Sequence, residues 1–286
     1  MKAVGAQFPD LLGVEATLVG WGWDFDAYRL GDWAFLFPKR AAVADRLEIE
    51  GRRSPFLAES VSDLGVSVPV YERIGEPSED FPHRFVGYRW ITGVAADQGV
   101  ASPELPARLG RVLTRIHLTD SALVTDLEIP EDREGAQEWF DEVIEYADVL
   151  RDVLSTEDQH CVDWLEAIDS MPPTHSGPLR LLHNDLYPEH ILVDEESGEL
   201  VGLIDWDDIA FTDPMLDFVG FYLWRGRGFV ESVLASYEVP LDSGFWERLD
   251  FVSRLGSLEW LYDAHLQDAD VEKHRRWVQN AFTEPT

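Results

Sequence analysis

The stretch Leu182-His-Asn-Asp-Leu-Tyr-Pro-Glu-His-Ile-Leu-Val-Asp194, followed by Gly202-Leu-Ile-Asp-Trp206, decides how the chain reads. Short apolar runs bounded by turn residues are the signature of buried strands. Residues 179–183, 191–194 and 200–205 are such runs, and the last two are close enough to form a hairpin. Between the first two lies a polar loop with Asp185 and His190, and the third run ends at Asp205. If the apolar runs are buried, these three polar groups stand together at the mouth of the hairpin. A carboxylate there can take a proton from a hydroxyl. Magnesium is commonly held by one or two carboxylates with the rest of its shell from substrate phosphate.

Working outward, the region before residue 93 reads as mostly strand. Residues 16–20, 26–30 and 33–37 are β-like runs punctuated by Gly and Asp, with Gly31-Asp32 as a hairpin turn and Pro38 as a stop. Residues 41–59 read as a helix, with Val43 and Leu47 on one face and Pro55 expected to interrupt or kink it. Residues 66–70 and 84–91 read as two further strands. After Gly93 the pattern changes to helix. Leu109, Val112, Leu113 and Ile116 form a stripe at helical spacing, and residues 137–154 and 156–168 continue in that mode. Pro172-Pro173 breaks the chain, and beyond the hairpin the remainder is expected to be helical. The expectation is a two-lobed α+β protein, with a β-rich lobe and connector over 1–92 and a helical lobe over 93–286. Ligands commonly occupy the cleft between such lobes.

The totals narrow the classes of partner. The 286 residues carry 55 acids against 23 bases, a net charge of −32. A field of that sign repels nucleic acid and anionic membrane surfaces. It either coats the protein for solubility, as in proteins adapted to high salt, or attracts a cationic substrate. Lysine occurs only at Lys2, Lys39 and Lys273. The single cysteine, Cys161, permits no intramolecular disulfide and reads as a core residue, which suits a reducing cytoplasm. No segment approaches the roughly 18–20 apolar residues of a membrane span, and the N-terminus lacks the apolar stretch of a secretory signal. Partners are therefore expected to be small molecules, with no nucleic acid and no membrane, for a monomer or a dimer.

The set His183-x-Asp185-x4-His190 with Ile204-Asp205-Trp206 resembles the catalytic and metal-binding signatures of the aminoglycoside and macrolide phosphotransferases, relatives of the protein kinases. Further segments are similar in order. Residues 22–31 and Phe35-Leu-Phe-Pro-Lys-Arg40 resemble the family's first hairpin and third strand. Ile49-Glu50-Gly-Arg resembles the helix bearing the acidic partner of the phosphate-binding base. Gly87-Tyr-Arg-Trp-Ile-Thr-Gly93 resembles the connector that receives the nucleotide base, and Asp213-Pro-Met-Leu-Asp217 the closing Asp-Pro-x-x-Asp. Most members have Asn where His190 stands; His is a variant found among 2″-aminoglycoside and macrolide kinases.

The resemblance implies a protein-kinase-like fold, with ATP or GTP as phosphate donor and Mg2+ as cofactor. It implies Asp185 as catalytic base and His190 and Asp205 as metal ligands. Tyr88, Arg89, Trp90 and Ile91 would line the nucleotide, with His183, Asp207 and Asp217 in support. One departure is clear. Leu36 stands where the family's third strand presents a base to the phosphates, so Lys39, paired with Glu50, becomes the candidate clamp, with Arg40 as the other option. The acceptor would be an aminoglycoside or macrolide antibiotic, and the segments 120–170 and 220–270 would build its pocket. They hold the acids Glu138, Asp141, Glu142, Glu145, Glu259 and Asp263 and the aromatics Trp139, Phe140, Tyr146, Trp224, Trp260 and Tyr262. A choline- or homoserine-type metabolite kinase and a nucleotide-binding pseudokinase are the alternatives, Leu36 being the feature that favours the latter. A metal-dependent hydrolase would use the same Asp/His cluster, but it leaves the connector unexplained and no Gly-x-Ser-x-Gly element is present.

Overall fold

The computed structural model describes residues 1–132, 136–267 and 270–283. Its elements in chain order are α1 (Lys2–Gln7), β1 (Ala16–Trp21), β2 (Phe25–Leu30), β3 (Trp33–Pro38), α2 (Ala41–Val61), β4 (Arg73–Gly75) and β5 (Phe85–Arg89). Then come β6 (Val94–Ala95), α3 (Leu105–His117), α4 (Ala136–Val143), α5 (Ala147–Val153), α6 (His160–Glu166), β7 (Arg180–Leu182), β8 (Ile191–Val193), β9 (Leu200–Leu203) and β10 (Ala210–Thr212). The chain finishes with α7 (Val219–Arg225), α8 (Arg227–Leu234), α9 (Phe245–Leu266) and α10 (Val271–Phe282). A β-sheet lobe followed by a helical lobe is the two-lobed α+β architecture expected from the sequence. Among the described residues no helix is long and apolar enough to cross a membrane.

The first lobe is a five-stranded antiparallel sheet in the order β1-β2-β3-β5-β4. Gly31, at φ 58°, makes the tight β2–β3 turn that pairs Leu30 with Trp33, because glycine enters the left-handed region without a Cβ clash. Side chains alternate across a strand. Trp33, Phe35 and Phe37 therefore share one face, where with Phe85, Leu30, Ala3, Val4 and Leu11 they bury a small core under α1. Ala34, Leu36 and Tyr88 fall on the opposite face, toward α2.

Helix α2 runs unbroken through Pro55, so the expected interruption does not occur. Proline removes the i→i−4 donor to the Gly51 carbonyl; that carbonyl instead accepts from Ser54 Oγ at 3.5 Å. Leu57 and Val61 near the end of α2 pack into the large core of the second lobe with Leu109, Leu113 and Ile116 of α3. The helix is thereby anchored to the lobe that carries the site. Residues 66–70 do not form the expected strand; they contribute one parallel bridge, Ser67 to Gly202, with Ser67 N donating to the Val201 carbonyl.

In the second lobe β6, β8 and β9 form a three-stranded sheet. The tail is not purely helical, because β10 pairs antiparallel with β7, Phe211 opposite Leu181. Cys161 is buried in a second core with Leu150, Val162, Leu165 and Leu258, and burial pushes its thiol up to about 12, well away from a nucleophile's range.

Candidate active site

Two left-handed residues bring the site together. Asn184 (φ 69°) turns the chain out of β7, and Asp205 (φ 67°) turns it out of β9, so the strand does not continue to Asp207. For non-glycine residues such conformations are uncommon and need support from their surroundings. Asp217 supplies it for the first. Its fully buried carboxylate accepts from Asn184 N at 2.7 Å, His183 N at 3.1 Å and His117 Nε2 at 2.9 Å. A carboxylate only accepts, so the His117 ring donates through Nε2 and its Nδ1 is left to accept from Tyr237 Oη at 2.6 Å. Asp217 therefore anchors the loop, as expected, and His117 is structural.

His183 joins the two turns. Its Nε2 donates to the Ile204 carbonyl at 2.9 Å, just before Asp205, while its Nδ1 faces Asp185 N at 3.4 Å. Complete burial lowers its pKa to about 4, so it stays neutral and braces the loop. Trp206 lies against it with ring centroids 4.4 Å apart and donates Nε1–H to the Leu203 carbonyl. Gly220, at the start of α7, packs so tightly under the loop that an added Cβ would lie 2.2 Å from the Leu186 carbonyl.

His190 sits at the end of the short 3₁₀ turn 188–190 and lies between the two carboxylates. Its Nδ1 is 3.3 Å from Asp185 Oδ2 and its Nε2 is 3.3 Å from Asp205 Oδ2. Nδ1 also donates to the Asp185 carbonyl at 2.7 Å. Burial raises the Asp185 carboxyl to about 6, against the opposing pull of His190. Burial likewise raises Asp205 to about 7, with Asp207 adding to the rise. For His190 burial pulls the other way and is outweighed by Asp205 and Asp185, so its pKa is raised.

These groups fit a divalent cation. A hydrogen bond from one ring nitrogen to a carbonyl is the usual second-shell support of a ligating histidine. In the neutral ring it fixes the tautomer whose Nε2 lone pair, on the Asp205 side, would be offered to a cation. The described residues contain no ready-made group of three or more His, Cys, Asp or Glu ligands. A two-ligand protein set completed by phosphate oxygens needs none.

The other expected residues divide. Tyr88 is buried beside Tyr71, ring centroids 6.5 Å apart, and burial together with Asp205 raises its hydroxyl pKa, so it faces the site. Trp90 has Arg29 over its ring at 4.6 Å, and Ile91 packs on Gly202. Arg89 points to the opposite face, over Trp33 at 4.1 Å and beside Glu72 at 3.9 Å. A cavity of about 270 Å³ lies along the connector, lined among others by Ser67, Val70, Glu72, Arg89, Ile91 and Val201. None of Asp185, His190 and Asp205 lines it, so the cavity stands apart from the loop cluster.

The structure does not bring Lys39 to Glu50. Lys39 Nζ donates to the Gly22 carbonyl at 2.6 Å and pairs with Asp26 at 3.2 Å; Asp26 lies opposite Phe37, on the sheet face away from α2. Arg40 bonds Asp24 and the Trp23 carbonyl. Glu50 instead meets Tyr71 Oη at 3.3 Å and, at 3.9 Å, Arg46. Sequence reasoning passed over Arg46. Its one signal was the Arg-x-x-x-Glu spacing on a helix, which sets the two side chains on one face.

A model of the phosphotransferase enzyme family matches residues 15–252. The chain belongs to that family. This phosphotransferase is 27% identical over 246 residues to viomycin phosphotransferase of Streptomyces vinaceus, covering 83% of this chain and 82% of the relative. It is also 27% identical over 222 residues to the uncharacterized protein YcbJ of Bacillus subtilis (strain 168), covering 72% and 67%. The solved GDP complex of wild-type aminoglycoside 2'-phosphotransferase-IIIa superposes with a TM-score of 0.74 at 24% identity, over 98% of this chain and 96% of that one. Macrolide 2'-phosphotransferase from Brachybacterium faecium does so with 0.58 at 17%, over 100% and 97%. At these identities the two structures establish the fold of the phosphotransferase and leave its substrate to its own residues.

Proposed function

We propose that this phosphotransferase moves the γ-phosphoryl group of a nucleoside triphosphate to a hydroxyl of an amine-bearing small molecule of the antibiotic class, in the cytoplasm. One observation carries the reading: His190 lies 3.3 Å from each of the Asp185 and Asp205 carboxylates, so a proton acceptor and a cation-holding pair share one mouth. The acceptor oxygen attacks the γ-phosphorus, the bond to the β,γ-bridging oxygen breaks, and the nucleoside diphosphate leaves. Asp185, ionised above about pH 6, takes the hydroxyl proton and aligns the oxygen. His190 holds the Asp185 loop through its Nδ1–H bond. His190 and Asp205 would hold a divalent cation, which would supply the charge neutralisation that the polyphosphate requires. In this reading Tyr88, Trp90 and Ile91 border the base of the donor, ATP or GTP; the GDP-bound neighbour makes GTP the first to test.

The acceptor side is read from α4, the turn 144–146 that follows it, and α9. Trp139 Nε1 donates to Glu259, Tyr146 donates to Glu142 at 2.6 Å, and Tyr146 stacks on Tyr262 with centroids 3.9 Å apart. The side chain of Glu138 lies outside the described residues. Trp260 Nε1 reaches Tyr187 Oη at 3.0 Å, which links this group to the loop of Asp185. Burial raises the Glu259 carboxyl to about 7, and the nearby Glu142 and Asp263 add to the rise. Acids crowded among aromatic faces suit an ammonium or guanidinium group, which relieves their repulsion and stacks on the rings. This favours an acceptor with several cationic groups over a macrolide with a single basic amine. The test is release of GDP or ADP by the purified protein with aminoglycosides, cationic peptide antibiotics, macrolides and amino alcohols. Turnover confined to neutral acceptors, or none with any hydroxyl compound, would refute it.

A further inference from the structure

A polyphosphate needs a cation beside the one held by His190 and Asp205, and in the sheet the inward face of β3 offers none, only Ala34 and Leu36. Glu50 is 6% exposed, and its Oε1 has no hydrogen-bond partner. A buried carboxylate oxygen without a donor costs stability unless a cation approaches it. The cation on that side is Arg46, one turn earlier on α2. Its Nε is 3.9 Å from Glu50 Oε1, within ion-pair range but too long for a hydrogen bond. Its Nη2 bonds Asp24 of the β1–β2 turn and lies 3.5 Å from Asp207 Oδ2, two residues beyond Asp205. The guanidinium thus spans the cleft between the turn over the donor site and the metal-binding segment, while its side chain stays 44% exposed.

We propose that Arg46 grips the donor phosphates, supplying from α2 the cation that β3 lacks at Leu36. The assignment rests on the reading of the protein as a nucleotide-dependent phosphotransferase. With no nucleotide bound, the Asp24 and Asp207 carboxylates hold the guanidinium in place. When the donor enters, phosphate oxygens replace them, and Glu50 orients the arginine from behind. Arginine suits the exchange, because its planar fork matches carboxylate and phosphate oxygens alike. Lys39 is held by Gly22 and Asp26 on the other side of the sheet and does not compete for this place.

The experiment is calorimetric titration of the full chain with Mg2+ plus GTP or ATP, and with guanosine or adenosine alone, comparing wild type, Arg46→Ala, Arg46→Lys and Lys39→Ala. Arg46→Ala should weaken triphosphate binding by about ten- to a hundredfold, the range for loss of a charge-assisted hydrogen bond, and leave nucleoside binding unchanged. Arg46→Lys should recover part of the loss. If the wild-type protein binds no triphosphate, the donor reading falls and this assignment with it. Triphosphate binding that Arg46→Ala leaves unchanged overturns the assignment alone. So does an equal loss for nucleoside and triphosphate, which would mark a merely structural arginine, or a larger loss in Lys39→Ala.

Discussion

The chemistry of a single carboxylate is decided by what surrounds it, and three aspartates within this fold have three fates. Asp185 is buried against a histidine and is the proposed base; Asp217 is buried against two backbone amides and another histidine and is an anchor. Asp207 faces Arg46. Asp185→Asn removes a proton acceptor without changing shape. Phosphoryl transfer should fall by about a hundredfold or more, while calorimetry still shows nucleotide binding; retained turnover would remove Asp185 from its role. Asp217→Asn is different. Its amide cannot accept from all three donors, so one buried donor is left unpaired at a cost of about 1–3 kcal/mol. The variant should unfold at lower denaturant, and unchanged stability would contradict the anchor. The sequence made Asp185, His190 and Asp205 legible because they are close along the chain and bounded by apolar runs. It did not show His117 and Tyr237 as the partners behind Asp217, since those contacts span about a hundred residues and leave no local trace. Lys39 was misleading for a simple reason: a strand alternates faces, and a lysine three residues past Leu36 lands on the wrong one.

At the scale of elements, turn chemistry was the reliable guide. Gly31-Asp32 and Pro38 marked β2 and β3 to within a residue, because glycine and proline act locally. Strand β10 was missed because its partner β7 lies some thirty residues earlier and only three residues pair. The junction after β10 is held by Arg248 of α9. Its Nη1 is 3.0 Å from Asp242 Oδ1, it also pairs with Asp213, and His175 Nδ1 is 2.7 Å from Asp242. Burial would raise the Asp242 carboxyl, but the bonds from Arg248, Ser176 and His175 outweigh it and hold it at about 2. A carboxylate depressed on folding stabilises above its unfolded pKa of about 3.9 and loses that contribution as pH falls through its folded value. Asp242→Asn should therefore lower the melting temperature at neutral pH. It should also give a shallower fall in stability than wild type between about pH 4 and pH 2. Parallel curves for the two proteins would show that Asp242 is not a source of the acid sensitivity.

Over the whole molecule the charge of −32 is a standing strain, because like charges on a folded surface repel more than in an expanded chain. A total charge carries no map of where the charges lie. The structure shows arginines paired across elements, Arg115 with Asp63 and Arg151 with Asp163 and Glu166, while acids outnumber bases 55 to 23 over the sequence. Screening shortens the reach of repulsion from about 10 Å at 0.1 M salt to about 3 Å at 1 M. The melting temperature should therefore climb between those concentrations, and a flat or falling profile would mean that the acids are locally compensated. The Michaelis constant of a cationic acceptor should rise over the same range. The two-lobed α+β architecture was readable from the shift between strand and helix periodicity, whereas the contact of α2 with α3 that anchors the helix depends on packing that a pattern cannot specify. Finally, Gly220 has no functional group, yet its missing Cβ is what lets α7 approach the Leu186 carbonyl. In a saturation library screened for folded protein, position 220 should tolerate no residue but glycine, and even the single methyl of alanine there should be lost from the survivors.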